Sequence, residues 1–183
     1  MRRGLLVALL ALAACGGNAS APVVTLESTV PGTIAESELY ETFSGVLVPM
    51  PGDAQRSSTQ LSDPDNAANV IDVNTLTVDL GKTAGVTVLF WQQQGTYDVS
   101  TGAENAGERL QAQTYVCAPK TWLTVPVVDC VGKVANGPVY TRTLVVNGLV
   151  IQVLVGAADE TMAQDLFLSI VEHIEVPGIN GQP

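Results

Sequence analysis

The stretch Val139-Tyr140-Thr141-Arg142-Thr143-Leu144-Val145-Val146-Asn147-Gly148-Leu149-Val150-Ile151-Gln152-Val153-Leu154-Val155 decides the fold class. Two runs rich in β-branched residues flank Asn147-Gly148. Asn-Gly is the favoured pair for a type I′ turn, because both residues accept positive φ, and such a turn matches the twist of two antiparallel strands. The spacing predicts a hairpin over Val139–Val146 and Leu149–Val155.

Working outward, Glu160–His173 reads as an amphipathic helix with Asp159 as its N-cap. Met162, Leu166, Ile170 and Ile174 repeat every four residues, with Ala163 and Phe167 beside them, and Pro177-Gly178 ends the order. Upstream, Leu76, Val78 and Leu80 alternate with Thr75, Thr77 and Asp79, a period of two with one apolar face. Gly81–Gly85 turns the chain into Val86–Gln92, which is apolar on both faces and therefore expected at the sheet centre. Thr101–Gln113 carries a weak helical pattern of Ala103, Ala106, Glu108 and Leu110, interrupted by Gly102 and Gly107.

Other segments are expected to be strands or loops. Phe43–Val48 reads as a strand stopped by Pro49 and Pro51-Gly52, and Ala35–Thr42 as a short helix. Asp53–Asn69 is polar and reads as loop, with a short strand near Ser58–Leu61. Gln113–Cys117 and Thr121–Val128 read as strands separated by a bend at Ala118-Pro119-Lys120. Pro126 suggests an edge or a bulge. Together these give an α+β fold: a mostly antiparallel sheet of about six or seven strands with helices packed on it.

The first fourteen residues carry the most specific signal. Arg2 and Arg3 precede a short apolar run, Gly4–Ala14, too short for the roughly 20 residues that span a bilayer but right for an export signal. It ends in Leu12-Ala13-Ala14-Cys15-Gly16. This resembles the lipobox of bacterial lipoproteins. The resemblance implies cleavage between Ala14 and Cys15 and a diacylglyceryl group on the Cys15 thiol. Two or more acyl chains hold a protein stably where one does not. Gly16 is not an Asp, so nothing argues for inner-membrane retention in a two-membrane cell. Residues 15–34, rich in Gly, Ser, Ala, Pro and Thr, read as a flexible tether, and 35–183 as one domain.

With Cys15 set aside, Cys117 and Cys130 remain. In an exported protein an even remainder suggests one disulfide, closing a loop of about 14 residues worth roughly 3 kcal/mol. There is no C-x-x-C motif to suggest a redox or metal pair.

Composition bounds the function. Of 183 residues, 46% are hydrophobic and 14% charged, which fits a globular domain. The net charge is −10, and loss of Arg2 and Arg3 with the leader takes it to −12. Such a polyanion is not expected to bind nucleic acid, nor to adhere to anionic lipid by charge. No G-x-S-x-G, Walker, G-x-G-x-x-G or H-E-x-x-H motif is present, and His173 is the sole histidine. It reads as a solvated group at a helix end. Asp63-Pro64-Asp65-Asn66, with Asn69 and Asp72, offers oxygen ligands for Ca²⁺. It departs from the EF-hand pattern at Ala67 and Ala68, and a plain turn is the simpler reading. Trp91 either lines a cleft or is a core or edge aromatic.

The run Phe43-Ser44-Gly45-Val46-Leu47-Val48-Pro49-Met50-Pro51-Gly52, and Val139–Val155 followed by Ala163, Phe167 and Ser169, resemble the opening and ending of many small envelope lipoproteins, an architecture similar to the PsbP/Mog1-like α/β sandwich. The resemblance implies a binding or assembly module and transfers no catalytic residues. The Cys117–Cys130 segment departs from it.

Three readings follow. The first is a non-enzymatic envelope lipoprotein, without cofactor or metal, that binds a protein or small ligand and touches the membrane through Cys15. The second is a carboxylate-only hydrolase of envelope polymer, which needs two acids across a cleft about 5–9 Å apart. The third is a passive spacer, which needs no pocket.

Overall fold

The structure is a computed structural model that describes residues 39–41, 45–52, 54–62, 70–81, 84–93 and 95–179. The leader, Cys15, the tether, Phe43-Ser44 and the Asp63–Asn69 segment lie outside the described residues.

Two antiparallel meanders make one sheet. Strands β3 (Gln55–Ser62), β4 (Val70–Asp79) and β5 (Ala84–Gln92) run in sequence, and so do β6 (Thr114–Trp122), β7 (Val125–Val134), β8 (Gly137–Val146) and β9 (Leu149–Ala157). Helix α1 (Val99–Arg109) links the two sets, and β9 pairs with β5, giving the order β3-β4-β5-β9-β8-β7-β6. Helix α2 (Glu160–Val171) follows. A two-stranded sheet of β1 (Leu39–Glu41) and β2 (Leu47–Pro49) stands apart, and Leu47 exchanges two backbone hydrogen bonds with Glu175, at 3.0 and 2.9 Å. The α+β class and the antiparallel sheet expected from the sequence are what the structure has.

The helices lie on opposite faces of the sheet. On β9 the odd residues Leu149, Ile151, Val153 and Val155 join Phe167, Ile170 and Val171 of α2 in the main core, with Val46, Val48, Val88 and Phe90. The even residue Gln152 instead reaches the Gly102 carbonyl of α1. Strand alternation therefore assigns α2 to one face and α1 to the other. α1 packs over β6–β8, and α2 over β8 and β9.

The Asn147-Gly148 turn has φ of 51° and 78°, as a type I′ turn requires. Asp159 caps α2 by accepting from the Met162 amide at 2.9 Å. β5 is an interior strand, between β4 and β9, as its two apolar faces predicted.

Several expectations are corrected. Leu39–Glu41 is strand rather than helix. The polar run Gln55–Ser62 is an eight-residue edge strand and not mainly loop. Its exposed Gln, Arg, Ser and Thr side chains need no apolar alternation, because residues 55–60 face solvent on both sides. Ala118-Pro119-Lys120 lies inside β6, and the chain turns later, at Leu123-Thr124, where Leu123 takes φ 54°.

Register explains why two prolines are tolerated. Cys117 and Cys130 face each other with Cα atoms 4.0 Å apart, the close pair type that exchanges no backbone hydrogen bonds. Stepping by two, the pairs Pro119↔Val128 and Thr121↔Pro126 are of the same type. Pro119 thus turns its missing N–H to the free edge of the sheet. Pro126 turns it towards β8, one residue before β7–β8 pairing begins at Val127↔Leu144. The α2 stripe is also rotated from expectation. Ala163, Phe167, Ile170 and Val171 are buried, while Met162 is exposed.

Candidate functional site

The site is built around α1. Asp98 sets the helix start: its Oδ1 accepts from the Ser100 amide at 2.9 Å and the Thr101 amide at 3.3 Å, and its Oδ2 from the Thr101 hydroxyl at 3.0 Å. These bonds hold its carboxyl below the usual range, led by the Thr101 side chain.

Gly102 and Gly107, which weaken the helical pattern in the sequence, have a steric purpose. Both are buried. A Cβ on Gly102 would collide with the Tyr97 phenol, and one on Gly107 with the Tyr115 ring. The two glycines exchange helix propensity for close approach of two tyrosines. Tyr97 in turn meets Trp91 edge to face, with centroids 5.9 Å apart and planes at 77°. Trp91, at the end of β5, is buried and donates from Nε1 to Gln93 Oε1 at 3.2 Å.

Beneath α1 the sheet face is polar. Thr141, Thr143 and Gln152 are each fully buried. Gln152 Nε2 donates to Thr143 Oγ1 at 2.9 Å and to the Gly102 carbonyl at 3.5 Å. Its Oε1 accepts from Arg109 Nη2 at 2.6 Å. Arginine can only donate, so this contact fixes the amide orientation. Tyr115 Oη lies 2.6 Å from Thr141 Oγ1. Burial pushes the Tyr115 hydroxyl up, partly offset by Thr141 and by the charge of Arg109.

A cleft of about 260 Å³ opens here, walled by Trp91, Thr96 and Tyr97 and, along one face of α1, by Asp98, Thr101, Gly102, Asn105 and Arg109. The helical positions recur at three- and four-residue spacing, which places them on one side of the helix. Arg109 is an exposed residue at this opening. Lys120 and Arg142 both pair with Asp129, whereas Arg109 has no carboxylate partner among the described residues.

The residues singled out from sequence are distributed differently. Cys117 and Cys130 form the disulfide, packed with Ala103 of α1 and Val128. His173 is exposed, with Nδ1 2.8 Å from the Ser169 carbonyl, and is not part of the cleft. Asp72 is exposed on β4, and the rest of the calcium-like segment lies outside the described residues. Among the described residues no three His, Cys, Asp or Glu gather to hold a metal. Trp91 is both core and cleft wall. Arg109, Gln152, Tyr97 and Asn105 were not found from sequence. One signal was present: Gln152 is the single polar residue in an apolar strand, and a buried amide demands a partner.

No family model matches the chain, and no match was found among the curated proteins or the solved structures.

Proposed function

We propose that the protein is an extracytoplasmic lipoprotein, anchored through lipid on Cys15, that binds a small ligand without catalysis in the cleft beside α1. The observation that carries the binding reading is Arg109. An arginine that lines the opening, places one donor on Gln152 and has no carboxylate partner among the described residues, beside the Trp91–Tyr97 wall, is the arrangement of a ligand cleft: apolar walls with a few placed polar groups. Export is supported by the leader, by the lipobox-like Leu12-Ala13-Ala14-Cys15 and by the Cys117–Cys130 disulfide, a bond that persists in oxidising compartments. Among the described residues no helix is long and apolar enough to cross a membrane. A covalent lipid is the contact this reading requires.

The hydrolase alternative draws no support from the cleft. Asp98 is its one acidic wall residue, and both of its carboxylate oxygens are engaged in capping α1. A second acid across the opening is what that chemistry needs. A passive spacer needs no cleft at all.

The test is a fragment screen by amide chemical-shift mapping. Binding in the cleft moves the signals of Tyr97, Thr101, Asn105 and Arg109 together. Fragments that move none of these, or that gather on another surface, contradict the reading.

A further inference from the structure

We infer that the cleft selects a small organic anion, whose carboxylate or phosphate docks on Arg109 while its flat apolar body lies against Trp91 and Tyr97; this rests on the reading of the cleft as a ligand site.

The two arginines of β8 and α1 show the reasoning side by side. Arg142, on the α2 face, is nearly buried and uses all three of its nitrogens. It forks onto Asp129, with Nε 2.7 Å from Oδ1 and Nη2 2.8 Å from Oδ2, and a further donor lies 3.4 Å from the Val171 carbonyl. Arg109 has the same five N–H donors. Among the described residues it places one of them, on Gln152. Arg109 is an exposed residue, so the donors that no described residue takes are open to an anion arriving in the cleft. Arginine's planar fork suits a carboxylate or phosphate that takes two parallel hydrogen bonds.

Asp98 does not fill that role. Its oxygens are spent on Ser100 and Thr101 at the helix start.

The remaining walls choose the rest of the ligand. Trp91 has its N–H committed to Gln93, so it offers ring carbon to the cleft. Tyr97 stands edge-on to it, making a corner that accepts a planar group. The volume of about 260 Å³ lies at the small end for ligand clefts, with room for a single-ring acid. The chain as a whole is strongly acidic and repels anions, so an anion held here is held by local geometry.

The experiment is calorimetric titration of the full-length protein at pH 7 with benzoate, phenyl phosphate and benzamide, the last a neutral ligand of benzoate's shape. It is repeated on Arg109→Gln and Arg109→Lys. Benzoate or phenyl phosphate is expected to bind at least ~10-fold more tightly than benzamide. Whichever anion binds better identifies the head group. Arg109→Gln should remove that ~10-fold advantage and leave benzamide unchanged. Arg109→Lys, which keeps the charge and loses the fork, should fall between. Equal binding of benzamide and both anions to the unaltered protein overturns the inference and leaves the cleft a ligand site of another selectivity; that comparison needs no variant to fold. Anion binding unchanged in Arg109→Gln overturns it too. No binding of any of the three, with no fragment moving the cleft signals, overturns both the inference and the reading beneath it.

Discussion

Arg142 and Asp129 meet directly across β7 and β8 as a two-point fork, both side chains about nine-tenths buried, and Arg142 also lies 5.8 Å from the centre of the Phe167 ring. The pair therefore ties two strands to α2. Lys120 adds a third contact, 3.1 Å from Asp129 Oδ2.

Removing the acid alone should cost more than removing the pair. Asp129→Ala leaves a buried guanidinium without its counterion and is expected to lower unfolding stability by about 3–5 kcal/mol. Asp129→Leu combined with Arg142→Met should recover much of that loss. Urea unfolding at pH 7 measures both.

The same pair sets an acid limit. Burial works to raise the Asp129 carboxyl, but Arg142, and after it Lys120, outweighs burial and holds it below the usual range. A carboxyl depressed in the folded state contributes stability in full above its unfolded pKa of about 4, and loses it as pH falls through the folded value. Stability should decline below pH ~4 in the unaltered protein. Asp129→Asn should lack that component of the decline, which unfolding curves at pH 7 and pH 3 would show.

Gly107→Ala should destabilise the protein, although alanine is the better helix former by about 1 kcal/mol. The added methyl meets the Tyr115 ring, which is also close against Gly132. Overpacking of this kind costs about 1–3 kcal/mol. A rise in thermal midpoint for this variant would contradict the steric account of the cleft helix.

Reducing Cys117–Cys130 should lower stability by about 2–4 kcal/mol, because the bond closes a loop with a sequence separation of 13. The bond also staples the edge strand β6 to β7. Hydrogen exchange should therefore speed up first over Thr114–Trp122. The measurement is exchange with and without reductant.

Legibility in the sequence followed how local the cause was. The Asn147-Gly148 turn, the Asp159 cap and the two-residue period of Leu76–Leu80 are local signals, and each specified its element. β3 was read only in part, as a short strand near Ser58–Leu61, because residues 55–60 are exposed on both sides and carry no alternation to read. The path of β6 was missed because Pro119 reads as a bend unless the register is known. That register depends on Cys130, thirteen residues on. Met162 was misplaced because four-residue spacing fixes a stripe only to within about one position around the helix. The cleft was least legible. Its walls come from the end of β5, the segment before α1 and one side of α1 along its length, and no local pattern announces that Arg109 will meet Gln152, 43 residues away.

The central claim is a ligand-binding domain held at a membrane by lipid, and intact-mass spectrometry of protein extracted from the membranes of the cells that make it tests the anchoring most directly. The account predicts a chain beginning at Cys15, carrying diacylglyceryl mass, with Cys117 and Cys130 protected from alkylation until reduced. A chain that still begins at Met1, or one without acyl mass, would contradict it.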